Sequence, residues 1–240
     1  MTRSALDPLV AGHQPNFFPW FGHFEKILKC EFFVYSDDVQ YSKQSYTNRV
    51  EIPVSGSSTY LILPVRKGSE ETIAVKQFFK EKATLKKLNK TLSINFGGLP
   101  FYTDLEPVMA EFERAYEEYE TAADLNIYMN QFIAMSMGIR TPVKRGTELR
   151  LESFHRNKRL IERCRRLESR QYLCGQRTDG YQDESMLNEA GIQLRRIEYG
   201  IGKSLLGEDI KYSVLYGSAK IGFGRMQEVV NSYMEMREAS

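Results

Sequence analysis

Short apolar runs and amphipathic stripes alternate at the start of this chain. Residues 9–12 and 31–35 are apolar runs of strand length, which is typical of strands buried on both faces. Between them, apolar residues recur at helical spacing over residues 21–28, just after Pro19, and proline suits the first turn of a helix. The pattern predicts a strand, a helix and a second strand in succession.

The middle of the chain combines two further strand signals with a long helical region. Strands are predicted at residues 59–65 and 72–75. From about residue 84 to 138 the apolar positions follow helical spacing, and glutamates occupy much of the opposite face. Tyrosine and methionine at such positions form a core more often than a cofactor site. This region therefore predicts a helical insertion.

The last third of the chain alternates strands and helices. Strands are predicted at 171–173 and 193–197, with a helix at 183–189 between them and a closing helix at 226–233. Such alternation is typical of parallel strands. The predicted fold is α/β: a mainly parallel, Rossmann-like sheet flanked by helices and built from both ends of the chain, with the helical insertion in the middle. We expect residues 1–240 to form a single domain.

Composition excludes several classes of function. The 240 residues are 42% hydrophobic and 27% charged, which is ordinary for a globular protein. A net charge of +2 supplies no global field for nucleic acid, so we expect no nucleic-acid partner. The apolar runs are too short to span a bilayer, and the three cysteines fit neither a disulfide framework nor a zinc finger. We therefore expect a cytoplasmic protein that is not inserted in a membrane.

Two positively charged segments allow more than one interpretation. Residues 140–170 are rich in Lys and Arg, and a solvated helix face is favoured there over a site for a phosphate-bearing substrate. The Gly-rich segment 217–225 matches no nucleotide-binding pattern and is interpreted as a flexible loop, with an anion site or a lid as open alternatives.

The densest unusual cluster lies between the first predicted strand and the first predicted helix. It runs from His13 to Trp20 in the order His-Gln-Pro-Asn-Phe-Phe-Pro-Trp. In an open α/β sheet, ligands bind in such strand-to-helix loops, because backbone amides and the helix N-terminus point there. We interpret His13 as a catalytic base and Gln14, Asn16 and Trp20 as substrate-binding residues.

A second polar cluster follows the second predicted strand. If the two strands are parallel neighbours, this cluster emerges at the same sheet edge as the first. Asp37 and Asp38 are catalytic candidates, and at most one of them faces the crevice because adjacent side chains point to different sides. Basic side chains here are predicted to hold phosphate, and amides to read hydroxyl groups. The predicted substrate-binding residues are Gln40, Lys43, Asn48 and Arg49.

Other motifs do not fit their patterns. Residues 200–204 end like a phosphate-binding loop, but the pattern needs a glycine where Ile197 stands. The three histidines, His13, His23 and His155, show no spacing typical of zinc ligands, so no metal site is predicted. No motif identifies a cofactor, whose identity stays unknown.

The stretches His13-Gln-Pro-Asn16 and Asp37-Asp-Val-Gln40 form a specific signature. With them, and with Asn48-Arg49 and Ala190-Gly-Ile192, the sequence resembles the WbqC-like family of bacterial proteins, in order and spacing over nearly the whole chain. The resemblance implies a bacterial cytoplasmic protein associated with O-antigen and other surface-polysaccharide assembly. It does not imply particular catalytic residues.

Residues and resemblance together predict a transferase-type enzyme of surface-polysaccharide or related amino-sugar and natural-product biosynthesis. Its substrate is expected to be an activated small molecule that carries phosphate or a sugar. Two alternatives stay open: an amide-forming ligase or acyltransferase that uses ATP or a carrier thioester, and a non-catalytic scaffold that binds a sugar or a partner. The oligomeric state is open as well, a homodimer included.

Overall fold

The computed structural model of the protein describes residues 7–68, 71–153, 155–176 and 182–239. The chain begins with a strand–helix–strand unit, namely β1 (Leu9–His13), α1 (Phe21–Leu28) and β2 (Phe32–Tyr35). The two strands pair in parallel, with Val10 opposite Phe32. These three elements lie where the apolar pattern predicts them.

A long insertion separates β2 from the next strand of the main sheet. It opens with the antiparallel hairpin of β3 (Arg49–Val54) and β4 (Ser57–Ile62). Three helices follow: α2 (Lys82–Phe96), α3 (Glu106–Glu118) and α4 (Ala122–Ser136). The predicted helical insertion is therefore present, preceded by a hairpin of which only the second strand was predicted.

The strand predicted at 72–75 is wrong. Ile73–Val75 form a short 3-10 helix instead. The amides of Val75 and Lys76 close a turn on the carbonyl oxygens of Thr72 and Ile73, while the amides of Ile73 and Ala74 donate to the segment that follows β2. An apolar run of four residues cannot distinguish such a turn from a strand.

After the insertion the chain returns to the main sheet. The elements in order are β5 (Val143–Arg145), α5 (Arg156–Arg166), β6 (Gln171–Cys174), α6 (Glu184–Glu189) and β7 (Gln193–Arg196). The sheet has the strand order β5-β2-β1-β6-β7, and every pairing is parallel. The chain thus extends outward from β1 to β5 and then continues on the other side of β1 with β6. The order reverses between β1 and β6, and ligands bind at such a switch point in open α/β sheets.

Both faces of the sheet are covered, which explains why its inner strands are almost continuously apolar. Ala11 and Phe33 pack in the larger core with α1 and the insertion. Val10 and Val34 pack on the opposite face with α5. Helices α1 and α5 therefore lie on opposite faces of β1.

Three helices complete the chain: α7 (Gly200–Leu206), α8 (Val214–Ile221) and α9 (Phe223–Glu238). The flexible loop predicted for residues 217–225 is wrong, because α8 and α9 occupy this segment and are separated only at Gly222. Gly222 has a φ of +81°, a conformation that favours glycine. Gly217 lies inside α8, in close contact with Leu206 and Met226. The glycines here allow a sharp break and close helix packing.

Candidate active site

The carboxyl ends of β1 and β2 bring the two predicted polar clusters to one edge of the sheet. His13 is the last residue of β1 and lies opposite Tyr35, the last residue of β2. The amide of Ser36 donates to the carbonyl oxygen of His13 at 2.8 Å, so the two segments stay side by side as they leave the sheet. The switch point between β1 and β6 adjoins this edge.

The imidazole of His13 is exposed and is held in one tautomer. Its Nδ1 atom lies 3.1 Å from the carbonyl oxygen of Gln14, which only accepts hydrogen bonds, so the network assigns the proton to Nδ1. Protein crowding around the ring and, second, the charge of Lys26 lower the pKa of His13 to about 4. Solvent contact at the exposed side of the ring offsets part of the desolvation. At neutral pH the ring is uncharged, and Nε2 can accept a proton.

Two buried cations flank the carboxyl end of β1. Sequence analysis assigned no function to Lys26, and it placed Arg163 in the basic segment 140–170, where a solvated face was favoured over a phosphate site. Lys26, on α1, is 6% exposed and its Nζ donates to the carbonyl oxygen of Gly12 at 2.9 Å. Arg163, on α5, is also 6% exposed and its Nη2 donates to the hydroxyl of Ser36 at 2.9 Å. The Nε atom of Arg163 is buried and has no hydrogen-bond partner among the described residues. The two cations reach β1 from opposite faces of the sheet.

Gly12 is the point where the two cations converge. A Cβ atom at this position would lie 2.4 Å from Nη1 of Arg163 and 3.3 Å from the hydroxyl of Tyr172. The first distance is shorter than a van der Waals contact, so a side chain at this position would displace the guanidinium from its place beside β1. The Nζ of Lys26 also lies 5.9 Å from the ring centroid of Tyr172.

Neither cation carries a direct signal in the sequence. Lys26 lies in α1, every residue of which is buried in the structure, and buried charged residues are rare unless they are paired. Arg163 instead belongs to the basic segment 140–170, whose local pattern favours a solvated face. Arg163 is buried and Arg145 and Arg159 are paired with carboxylates of the β2 side, so this segment is not simply a solvated face.

The two adjacent aspartates have different partners. Asp37 is fully buried and accepts hydrogen bonds from Nε of Arg145 at 2.7 Å and from the amide and hydroxyl of Thr147, both at 3.0 Å. Asp38 forms an ion pair with Arg159, while its Oδ1 atom is buried without a partner among the described residues. Asp37 therefore joins the ends of β2 and β5, and Asp38 keeps one acceptor unused. A catalytic role for either residue stays a prediction.

Gln14, Asn16 and Trp20 lie in the loop between β1 and α1. Gln14 is half-buried, and its carbonyl oxygen holds His13 as described above. Asn16 is buried, its carbonyl oxygen accepts from Nδ2 of Asn130 at 3.1 Å, and its own Oδ1 has no partner among the described residues. Trp20 packs against Tyr199 with ring centroids 4.7 Å apart. Contact of these three with substrate stays a prediction.

Of the four remaining predicted residues, Gln40, Lys43 and Asn48 lie between β2 and β3, and Arg49 is the first residue of β3. Gln40 and Lys43 are exposed. The side-chain amide of Asn48 accepts a hydrogen bond from the hydroxyl of Tyr41 and donates one to the carbonyl oxygen of Leu63. Arg49 lies 4.5 Å over the ring of Tyr60. Lys43 lines a cavity of about 670 Å³, and its other basic lining residues are Arg66, Lys67 and Lys76. Phosphate binding by Lys43 and Arg49 stays a prediction.

A sequence profile of the WbqC-like protein family matches residues 14–203. This chain belongs to the WbqC-like protein family. The matched stretch begins directly after His13 and contains both buried cations and both aspartates of the sheet edge. The predicted membership is confirmed.

One relative of this WbqC-like chain is a protein of Mycobacterium tuberculosis (strain ATCC 25618 / H37Rv), the uncharacterized protein Rv1507c. The two sequences are 23% identical over 191 residues, which cover 79% of this chain and 82% of the relative. The relative extends the likeness over most of both chains and supplies no activity. No solved structure is significantly similar to the chain.

In this WbqC-like chain, backbone amides of the segment 200–204 bind a side chain of the protein itself. Glu25 is fully buried, and its carboxylate accepts hydrogen bonds from the amides of Ile201 and Gly202 at 3.1 and 2.8 Å. Lys29 donates to the same carboxylate at 2.7 Å. The N-terminus of α7 therefore binds an internal carboxylate rather than a phosphate.

His23 adds a buried polar ring behind His13. The two imidazole centroids are 5.2 Å apart in an edge-on arrangement, and the ring of Tyr35 stacks on His23 at 6.0 Å. Both ring nitrogens of His23 are buried without hydrogen-bond partners in the described part of the chain. Burial and, second, the charge of His13 keep the pKa of His23 well below its usual 6.5.

The described residues contain no group of three or more side chains that could hold a metal ion. Over the same ranges, none of the helices combines the length and the apolar character needed to cross a membrane.

Proposed function

We propose that this WbqC-like protein is a transferase-type enzyme that acts on an activated small molecule and uses His13 as its general base. One observation carries the proposal: an exposed, neutral imidazole lies at the carboxyl end of the central strand. Its Nδ1 proton is held by the carbonyl oxygen of Gln14, which leaves Nε2 free to accept a proton. A structural histidine would instead be buried with both nitrogens satisfied.

The chemistry follows from that tautomer. Nε2 removes the proton from a hydroxyl or amino group of the acceptor as this group attacks the activated centre of the donor. The activating group then leaves with the bonding electron pair. Asn16 reads substrate hydroxyls from the β1–α1 loop, and Asp38 orients the acceptor through its unused Oδ1 atom. General acid–base groups of this kind typically contribute about 10² to 10⁴ in rate.

The family membership supports a role in the synthesis of bacterial surface polysaccharides, with a nucleotide-linked sugar as the activated donor. All three cysteines are buried, which is compatible with work in a reducing cytoplasm.

The test is a turnover assay with defined donors. The protein is incubated with UDP-glucose, UDP-N-acetylglucosamine and dTDP-glucose, with a mixture of amino-sugar and alcohol acceptors, and products are followed by mass spectrometry. Parallel reactions contain ATP or acetyl-coenzyme A. Turnover that needs neither addition supports the transferase, whereas turnover that depends on ATP or the thioester shows a ligase or an acyltransferase.

His13→Asn is the informative variant, and His155→Asn, at an exposed histidine of α5's N-terminus, is its matched control. We expect His13→Asn to lower kcat by at least about 10² at unchanged melting temperature, with His155→Asn equal to the parent protein. Equal turnover in His13→Asn and the parent would refute the assigned base. Binding of a nucleotide sugar without any turnover would instead identify a scaffold.

A further inference from the structure

The pair of buried cations at Gly12 has no counter-charge within the described residues. No Asp or Glu carboxylate in these ranges lies within 4.0 Å of the Lys26 ammonium or the Arg163 guanidinium. Other cations near the sheet edge are matched: Arg145 pairs with Asp37, and Arg159 pairs with Asp38. The two cations at the carboxyl end of β1 differ from Arg145 and Arg159 in this respect.

A buried pair of like charges destabilises the fold unless an opposite charge lies beside it. Moving a charged group out of water is strongly unfavourable unless an opposite charge compensates for it. Here burial comes with mutual repulsion, since burial first, and the charge of Arg163 among smaller influences, lower the pKa of Lys26 to about 8. Their neutral contacts, a backbone carbonyl and the Ser36 hydroxyl, satisfy only part of the donors. A bound anion would remove the imbalance.

We propose that Lys26 and Arg163 form an anion subsite that binds a phosphoryl group of the substrate at the carboxyl end of β1. The inference rests on the proposed function, because it places the activating phosphate of the donor next to His13. Exposed His13 directly follows Gly12, whose carbonyl oxygen accepts from Nζ of Lys26, so the catalytic base lies one residue from the proposed subsite.

Charge and shape both favour phosphate over carboxylate. Two cations balance the two negative charges of the diphosphate in a nucleotide-linked donor, whereas a carboxylate supplies only one. A guanidinium presents donors in a planar fork that matches neighbouring oxygens of phosphate, and a lysine adds a flexible point charge. The unpartnered Nε of Arg163 is a donor that a phosphate oxygen would satisfy.

Gly12 explains why the subsite can form at this position. Its missing side chain admits Nη1 of Arg163, which would be 2.4 Å from a Cβ atom there. Gly12→Ala therefore displaces the guanidinium without removing either charge. This variant separates the geometry of the subsite from its net charge.

The binding test uses inorganic pyrophosphate and phosphate, titrated into the full chain by calorimetry at low ionic strength, with acetate as the carboxylate probe. Pyrophosphate is expected to bind, with acetate at least about tenfold weaker. Arg163→Gln and Lys26→Met should each weaken pyrophosphate by about tenfold or more, and Gly12→Ala should act in the same direction. Arg165→Gln, at an exposed arginine of the same helix, changes the net charge equally and should leave affinity unchanged.

Two results would overturn the subsite. One is the absence of pyrophosphate binding to the parent protein, and the other is an equal loss of affinity in Arg165→Gln and Arg163→Gln, which marks nonspecific attraction. Preferred binding of acetate would assign the pair to a carboxylate instead of a phosphate.

Thermal unfolding keeps the test decisive if one variant folds poorly. In anion-free buffer, Lys26→Met should melt no lower than the parent, because one uncompensated charge is gone, and pyrophosphate should no longer raise its melting temperature. If Lys26 only supports the Gly12 carbonyl, the variant melts lower and still gains stability from pyrophosphate. The latter result contradicts the proposal.

The subsite and the base can fail separately. His13→Asn should keep pyrophosphate binding, since the ring contributes no charge at neutral pH. Turnover that depends on His13 together with absent pyrophosphate binding would sustain the enzyme and reject the subsite. Binding without His13-dependent turnover would do the reverse.

Discussion

Nε of Arg145 donates to Oδ2 of Asp37 at 2.7 Å and thereby ties the edge strand β5 to β2. Asp37 is fully buried, and the amide and hydroxyl of Thr147 donate to the same carboxylate. The pairing gives one of the two candidate aspartates a structural task at the sheet edge.

Asp37→Asn should therefore destabilise the fold. The amide places a donor against a cluster of donors and removes the charge that compensates Arg145, so we expect a loss of about 2 to 3 kcal/mol in the free energy of unfolding. Urea unfolding measures this loss. Glu228→Gln, which breaks an exposed pair with Arg225, serves as control and should cost less than about 1 kcal/mol. An Asp37→Asn protein of parental stability but without activity would assign Asp37 to catalysis.

The two neighbouring histidines predict that acid weakens the fold. Their folded-state pKa values lie below the unfolded value of 6.5, at about 4 for His13 and well below 6.5 for His23. Between these values the unfolded chain binds more protons, so stability falls as pH decreases from about 6.5 towards 4. The buried His23 contributes most of this fall, because solvent screens the exposed ring of His13.

His23→Leu should make this pH dependence shallower and raise stability at pH 5 relative to the parent, because a buried ring with two unpartnered nitrogens is replaced by an apolar side chain. Urea unfolding at pH 5 and pH 7.5 tests the prediction, with His155→Leu as an exposed control. An unchanged slope in His23→Leu would show that other groups cause the acid sensitivity.

The pKa values of His13 and Lys26 predict the pH profile of turnover. For a donor identified by the assay above, kcat/KM should show no acid limb near 6.5, because His13 stays unprotonated until about pH 4. Above pH 8 it should decline as Lys26, whose pKa is about 8, loses its charge. Lys26→Met should abolish the alkaline limb and lower kcat/KM throughout. An acid limb centred near 6.5 would contradict the assignment of His13.

Loss of the Glu25 carboxylate should destabilise the N-terminus of α7. Glu25→Gln removes the charge that accepts from the amides of Ile201 and Gly202, so we expect a loss of about 1 to 2 kcal/mol in the free energy of unfolding. Hydrogen exchange at these two amides should accelerate more than exchange in α9. Glu235→Gln, on the exposed side of α9, is the control. Unchanged exchange at both amides would disprove the capping role.

The parts of the fold that sequence predicts are those in which local pattern and tertiary environment agree. The runs at β1, β2 and β6 are apolar because both faces of the sheet are covered, so burial is visible in sequence. Strand β5 shows no such signal, since only Val143 of its three residues is apolar and it lies at the sheet edge. Helix α7 is hidden by Gly200 and Gly202, which weaken any helical pattern.

The residues of the candidate site also differ in whether the local sequence pattern reveals them. His13 and the aspartates are conspicuous because polar residues follow buried strands. Arg163 is inconspicuous because its significance comes from Ser36 and Gly12, which are far away in sequence. No window of sequence contains that relationship, and the arginine-rich surroundings favour the opposite interpretation.

The position of β1 at the centre of the sheet has a consequence for the order in which the molecule is assembled. Leu9 pairs with Gln171, so one edge of β1 stays unpaired until β6 has been synthesised. A nascent chain thus carries an open, apolar strand edge past the whole insertion, which makes truncated forms prone to aggregate. Arg163 is synthesised just before that edge closes, so a nascent chain that ends before residue 163 lacks one of the two buried cations.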